Sequence, residues 1–300
     1  KTLGRLAPTI GPQLALRSVL VGWYVRRHAD AFAATVSTAN EFSLPGPSVQ
    51  YVHYPQFHLD ARDDTDAGRL NPLWSRLAGP DRSELQDATL LANSAWTADV
   101  VADIYGVQPA VLHPPVDPVE GGRDWADREE GFVVVGRIAP DKRVLEAIDI
   151  LDHLRERGHD VHLHIVGSAP RSYRTYAARV ASAAAERSHV VFERDVARGR
   201  LEHLLRPHRY GLNLKPDEHF GMSVAEYVAA GMIAFAPDGG GQRDILGGRP
   251  DRLFDSPASA VDVIEQAIVA DARPTLPRDR FDREQFKTGI SEYVQDVLEA

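Results

Sequence analysis

The sequence predicts an α/β chain of two doubly wound domains, and three observations carry that reading. From Phe132 onward, short β-rich apolar runs alternate with longer segments of helical period, as in a parallel sheet wrapped by helices. Upstream, a separate group of extended runs occurs. Between the two groups, residues 117–130 are rich in glycine and charge and lack apolar period. With 300 residues, of which 43% are hydrophobic, each half can bury a core of its own.

In the first group, FAATVS (32–37), VQYVHY (49–54) and ATLLANS (88–94) read as extended. Trp96 to Tyr105 has helical spacing, and AVLHPP (110–115) is extended up to its proline pair. The stretch from Asp117 to Glu130 is expected to link the domains. In the second group, FVVVG (132–136) is apolar on both faces, as a central parallel strand is. Leu145, Ile148, Leu151 and Leu154 then mark a helix that Gly158 closes. VHLHIVG (161–167) is a strand, Tyr173–Glu186 a helix, HVVF (189–192) a strand and Arg200–Leu205 a helix. YGLNL (210–214), the helix Gly221–Ala230 and the strand MIAFA (232–236) complete the alternation. The last helix, Glu284 to Leu298, places Phe286, Ile290, Tyr293, Val294 and Val297 on one face and is expected to cross back to the first domain. The expected domains are therefore 1–117, 131–275 and a closing segment 276–300.

Composition excludes several functions. Cysteine is absent, which rules out a disulfide framework, a thiol nucleophile and a cysteine-ligated zinc. A net charge of -9 is wrong for a nucleic-acid binder. No apolar run approaches the roughly 18 residues of a membrane span. Residues 1–62 carry six Lys/Arg against three acids, a basic front that suits either a solvated face or an anionic membrane surface. The expected location is cytoplasmic, with peripheral contact at the inner face of the membrane left open. The chain opens with Lys1, and no strand with a glycine-rich turn precedes residue 32, so N-terminal sequence is expected to be missing.

The residues that carry chemistry cluster in the second half. EHFGMSVAEYVAAG (218–231) puts Glu218 in the loop before a helix and Glu226 inside it, while His219, Phe220, Gly221 and Met222 surround the free N–H groups of the helix start. Such a terminus binds anions and hydroxyl-rich ligands, and Gly221 permits close approach. VVVGRIAPDKR (133–143) sets Gly136 and Arg137 at the carboxyl end of the first buried strand, where open α/β sheets bind ligands, with Lys142 just beyond. Two cations there suit a leaving diphosphate. PDGGGQRDIL (237–246) offers a glycine-rich turn after a strand. In the first half, QYVHYP (50–55) ends an extended run at His53, and NSAWTADVV (93–101) carries Ser94 or Thr97 as a helix cap.

Taken together, these segments resemble the family 4 retaining glycosyltransferases, whose E-x7-E motif has the spacing of Glu218 and Glu226. The resemblance implies the GT-B fold, two Rossmann-like domains facing a cleft, here with an incomplete N-terminal domain. It implies that Glu218 contacts the donor sugar, Glu226 holds the nucleotide ribose, Arg137 and Lys142 neutralise the diphosphate, and His53 helps orient the sugar. YVHYP, NSAWTADVV, EHFGMSVAEY and AAGMIAFAPDGGGQRDIL are most similar to the α-1,2-mannosyltransferase branch of lipid-linked oligosaccharide assembly. That likeness implies GDP-mannose as donor, a glycan or lipid-linked acceptor, retention of configuration, and no cofactor or metal. A UDP-sugar enzyme of polysaccharide or glycolipid synthesis and a catalytically silent sugar-nucleotide-binding module are the alternatives.

Two further patterns point elsewhere. Asp64-Thr65-Asp66 has the form of a metal-holding DxD, but it lies in a polar run with no buried strand before it and reads as a solvated loop. His159, His162 and His164 read as sheet-surface histidines, because 162 and 164 share one face and no third ligand follows at suitable spacing.

Overall fold

The computed structural model describes residues 14–58, 79–80 and 82–299. The Asp64-Thr65-Asp66 motif lies outside them. The chain divides into two compact units, residues 1–114 with 284–300, and residues 115–283.

In the first unit a helix α1 (Leu14–His28) precedes a parallel sheet of β1 (Thr35–Ser37), β2 (Ser48–Val52), β3 (Thr89–Ala92) and β4 (Ala110–Val111), in the order β1-β2-β3-β4. All four strands are shorter than the extended runs expected, and for two of them the reason is local. Phe32 donates its amide to Ala29 at the end of a 3-10 turn and lies exposed, so β1 starts only at Thr35. β4 stops at Val111, ahead of Pro114 and Pro115, which have no N–H for a ladder. On one face of the sheet, Val52 and Leu90 pack with Leu85 of α2 (Arg82–Gln86) and with Val101 and Tyr105 of α3 (Ala95–Tyr105). Ser94 caps α3 by accepting the Thr97 amide at 3.0 Å, and Gly106 ends it in the left-handed region.

The second unit is a six-stranded parallel sheet. Its strands are β5 (Glu129–Val135), β6 (His162–Gly167), β7 (Val190–Arg194), β8 (His208–Leu212), β9 (Ile233–Pro237) and β10 (Leu253–Phe254), in the order β10-β9-β8-β5-β6-β7. Helices α4 (Val144–Glu156), α5 (Arg174–Ala185) and α9 (Pro257–Val269) bury Ile148, Leu151, Val180 and Ile264 against one face. Helices α6 (Arg198–Leu205), α7 (Met222–Ala229) and α8 (Gln242–Leu246) bury Leu204, Val224, Tyr227 and Ile245 against the other. Central strands covered on both faces read as the continuous apolar runs seen in the sequence. The chain goes from β5 outward through β6 and β7, then returns to the other side of β5 for β8, β9 and β10. The crevice between β5 and β8 is thus the topological switch point, where open α/β sheets take their ligands.

The expected linker at 117–130 is largely exposed, but it is pinned to the second unit at Val119 and Arg128. Val116 and Val119 are buried in the core of the second unit, where their amides donate to Phe281 and Ala229, and Glu129 already begins β5. Apolar residues spaced by neither 2 nor 3.6 leave no periodic trace, which is why this stretch reads as a linker. The last helix, α10 (Arg283–Glu299), sets Phe286, Ile290, Tyr293, Val294 and Val297 against Val49, Tyr51 and Leu91 of the first unit.

Candidate active site

The second unit gathers most of the singled-out residues around the carboxyl ends of β5 and β8. β5 ends at Val135, and Gly136 and Arg137 lead into a 3-10 turn, Pro140–Lys142. Lys142 turns back so that its side chain passes 3.9 Å from where a Cβ on Gly136 would lie. Its Nζ is ion-paired with Glu218 Oε1, and the two side chains are only 19% and 13% exposed. Arg137 reaches Asp141 at 3.4 Å, and Lys215, just after β8, lies 3.9 Å from the same carboxylate. Three cations thus line the edge that opens at the switch point, paired with Asp141 and Glu218, and can turn to an anionic ligand.

Gly221, at φ +106, caps the N-terminus of α7, a conformation that glycine adopts without strain. Behind it, Gln242 and Ile245 would lie 3.3 Å from an added Cβ. Of the four residues from His219 to Met222, Phe220 turns its ring into the core, edge-on to Phe281 at 5.5 Å, whereas Met222 is exposed. Phe220 can therefore offer a ligand its backbone and not its ring. His219 stands half-buried beside Glu218 in the same loop.

The glycine run after β9 supports this loop through protein backbone. A Cβ on Gly240 would sit 2.4 Å from the Glu218 carbonyl oxygen, and Gly241 donates its amide to that same oxygen at 2.7 Å. Beside it, Gln242 is fully buried, accepts from Asn213 Nδ2 at 2.7 Å, and donates to the carbonyls of Lys215, Pro216 and Pro237 at 2.9–3.1 Å. Asn213 in turn accepts the Leu214 amide. Sequence reading missed this clamp, because a lone Gln and a lone Asn carry no spacing signal.

Glu226 is not placed against Glu218 by any bond. It is ion-paired with Arg198 at the start of α6, a residue that spacing gave no reason to select. Its neighbour Tyr227 is buried, and desolvation raises the phenol above its ordinary range, so it stays protonated at physiological pH. The phenol accepts the Val135 amide at 2.8 Å.

His53 belongs to the first unit. It is exposed at the end of β2, where its backbone amide donates to Asn40 Oδ1 at 2.7 Å, its carbonyl accepts from Asn93, and its ring Nε2 donates to the Thr38 carbonyl at 3.1 Å. Its orientation is therefore set by protein contacts.

The histidine reading needs correction. His162 and His164 do have a third histidine beside them, His208 from β8, and one ring nitrogen of each lies within 4.8 Å of the others. The sequence hid this because strand order, not spacing, brings β8 close to β6.

Comparison with known proteins fits this architecture. Residues 122–269 match the family described as Glycosyl transferases group 1. Proteins named GDP-Man:Man(3)GlcNAc(2)-PP-Dol alpha-1,2-mannosyltransferase are similar. The one from Eremothecium gossypii is 24% identical over 218 residues, covering 63% of this chain and 37% of that protein. The mouse protein is 24% identical over 276 residues, covering 76% of this chain and 55% of its own length. The chain thus spans about a third to a half of the curated relatives it matches. Among solved structures, Anabaena HepE in complex with UDP and glucose superposes with a TM-score of 0.64 at 15% identity, over 83% of this chain and 72% of that one. A trehalose-phosphate synthase from Burkholderia xenovorans gives 0.61 at 12% identity, over 93% and 76%. At such identities the likeness speaks for the fold, which is that of GT-B glycosyltransferases. The chain therefore carries, on a GT-B fold, a domain of the glycosyl transferase group 1 family.

Proposed function

We propose that this chain is the donor-binding part of a retaining, metal-independent hexosyltransferase that moves mannose from GDP-mannose to a glycan or lipid-linked acceptor. The observation that carries the reading is the Lys142–Glu218 pair at the β5/β8 switch point, next to the open start of α7. In this reading the nucleotide-sugar lies across those strand ends. Arg137 and Lys142 take the diphosphate, with Gly136 leaving room for it. Glu218, with the backbone from His219 to Met222, holds the sugar, and Glu226 holds the ribose in place of Arg198.

In this reading no covalent intermediate with the protein forms. The acceptor hydroxyl attacks the anomeric carbon on the face that the diphosphate leaves. The bond from that carbon to the diphosphate oxygen breaks as the new one forms, the proton passes to a diphosphate oxygen, and configuration is retained. The role of His53, orienting the transferred sugar, is part of the proposal and is tested by His53→Ala.

The mannose assignment rests on the names of the sequence relatives. Peripheral membrane contact through the first unit is also proposed, on the basic front together with exposed Trp23, Tyr24 and Leu20 beside Arg26 and Arg27. No described helix is long and apolar enough to cross a membrane. Calorimetry with GDP and UDP, followed by turnover with GDP-mannose and a lipid-linked glycan, tests the reading. Tighter binding of UDP than GDP overturns the donor assignment, and binding without transfer or hydrolysis favours a silent binding module.

A further inference from the structure

At the opposite end of the same sheet lies a cluster that the donor site does not use. Gly131 in β5 is paired with His162 in β6, and β8 begins on the other side at His208. A Cβ on Gly131 would fall 2.3 Å from His162 Nε2 and 2.5 Å from the His208 ring. The missing side chain in the middle strand is what lets two rings from non-adjacent strands meet above it, Nε2 to Nε2, at 3.0 Å. His164, two residues along β6 on the same face, brings its ring centroid 4.8 Å from that of His208 and 5.6 Å from that of His162.

The surroundings leave ring nitrogens available. His208 donates Nδ1–H to the Leu204 carbonyl, which fixes its tautomer and turns the Nε2 lone pair toward the cluster. His164 Nδ1 is buried with no partner within hydrogen-bond distance, and the Glu193 carboxylate, held by Arg200, lies 3.8 Å from it. At the mouth, Glu129 Oε2 lies 3.6 Å from His162 Nε2 and 4.0 Å from His208 Nε2, with its side chain 46% exposed to solvent. Three imidazoles and a carboxylate are the donor types of a tetrahedral divalent transition-metal site, whose ligand atoms stand about 3.3 Å apart when each is about 2.0–2.1 Å from the ion. The ring nitrogens here lie within 4.8 Å of one another, so small side-chain rotations would close the set around an ion.

We propose that His162, His164 and His208, with Glu129, bind one divalent transition-metal ion of the zinc class. The ion would clamp β5, β6 and β8 at their amino ends. Gly131 and Gly136 are separated by five residues of extended chain, about 16 Å at a strand's rise. The site is therefore structural and distinct from the donor edge.

The test uses the full chain, stripped with a chelator and titrated with Zn2+ against a chromophoric competitor, and separately with Co2+ to read its visible d–d absorption. Expected are one equivalent bound, a tetrahedral Co2+ spectrum, and a thermal midpoint that rises with Zn2+. His162→Gln and Glu129→Ala, both at partly exposed positions, should weaken binding by at least about 10-fold, whereas exposed His153→Gln should not. The proposal is overturned if the stripped chain takes up no stoichiometric ion, if its Co2+ spectrum is octahedral, or if His162→Gln and Glu129→Ala both bind as tightly as the parent. Because Zn2+ binding and donor transfer are read separately, failure here leaves the transferase reading standing, and the reverse holds.

Discussion

Tyr227 accepts the amide of Val135 through its phenol at 2.8 Å, and so ties the helix that carries Glu226 to the end of the strand that leads into Gly136. The same hydroxyl lies 3.5 Å from the Leu212 carbonyl, and Gly211 leaves the space that the Tyr227 ring fills. Tyr227→Phe keeps the ring and removes the acceptor, leaving the Val135 N–H without a partner. The expected cost is about 1–3 kcal/mol of stability, together with a raised KM for the donor and a smaller change in kcat. Denaturant unfolding and steady-state kinetics read both, and unchanged stability would mean that the bond contributes nothing.

Gly240 presses on the backbone of Glu218, with φ at +63. Gly240→Ala would put a methyl group within 2.4 Å of the Glu218 carbonyl oxygen and 2.7 Å of its nitrogen, against backbone that cannot swing aside. Displacing the loop should weaken donor binding by about 10-fold or more and cost about 1–3 kcal/mol. Gly199→Ala, where nothing lies within 4 Å of the added carbon, is the control. If the two variants bind donor nucleotide equally well, the glycine run is not what shapes the site.

Much of this arrangement could be read from the sequence, for reasons that are physical. Strands β5 and β9 are covered on both faces, so their apolar runs are unbroken, and α4 shows its buried aliphatic residues at regular spacing. Gly136, Lys142 and Glu218 can be singled out along the chain because strand ends and helix starts, where ligands gather, are local features. Arg198, Gln242 and Asn213 were not found, since each acts through a partner at least 26 residues away. The His162–His208 meeting depends on strand order and on Gly131, and no reading along the chain reveals which strands are neighbours. Val119 packs without any period, so the stretch around it reads as linker.

Glu218 is held by Lys142, a cation that the donor diphosphate is proposed to share. Glu218→Ala should leave the fold intact, since its backbone is held independently by Gly241. It should reduce transfer by about 100-fold or more through lost sugar positioning. Circular dichroism and transfer assays separate the two effects, and near-normal turnover in a folded variant would refute the site assignment.

Arg128 is buried and donates to the carbonyls of Arg123, His208 and Ala230 at 2.8–3.2 Å, joining the entry of β5 to the start of β8 and the end of α7. Burial, then the nearby charge of Arg278, lowers its pKa, yet an arginine stays charged there. Arg128→Met fills similar space but strands three carbonyls, and should cost about 2–4 kcal/mol. Urea unfolding measures it, and a loss below about 0.5 kcal/mol would assign the guanidinium no structural weight.

The first unit holds a carboxyl group whose burial should be visible as a pH dependence. Glu41 is 1% exposed. Its Oε1 accepts from Tyr105 at 2.9 Å and from the Phe57 amide, while Oε2 has no partner. Desolvation raises its pKa from 4.5 to about 7, against the lowering effect of those hydrogen bonds. Below pH 4.5 the group is protonated whether folded or not. As pH climbs from there toward 7, the unfolded chain releases a proton that the native state retains, so stability falls, and beyond 7 the loss is complete. The shift corresponds to about 3 kcal/mol. Glu41→Gln keeps an oxygen for Tyr105 and cannot ionise. The stability difference between variant and parent should therefore grow in the variant's favour between pH 5 and 7 and level off above, as urea midpoints across pH 5–8 would show. Parallel curves would mean that Glu41 is ionised throughout in the folded protein.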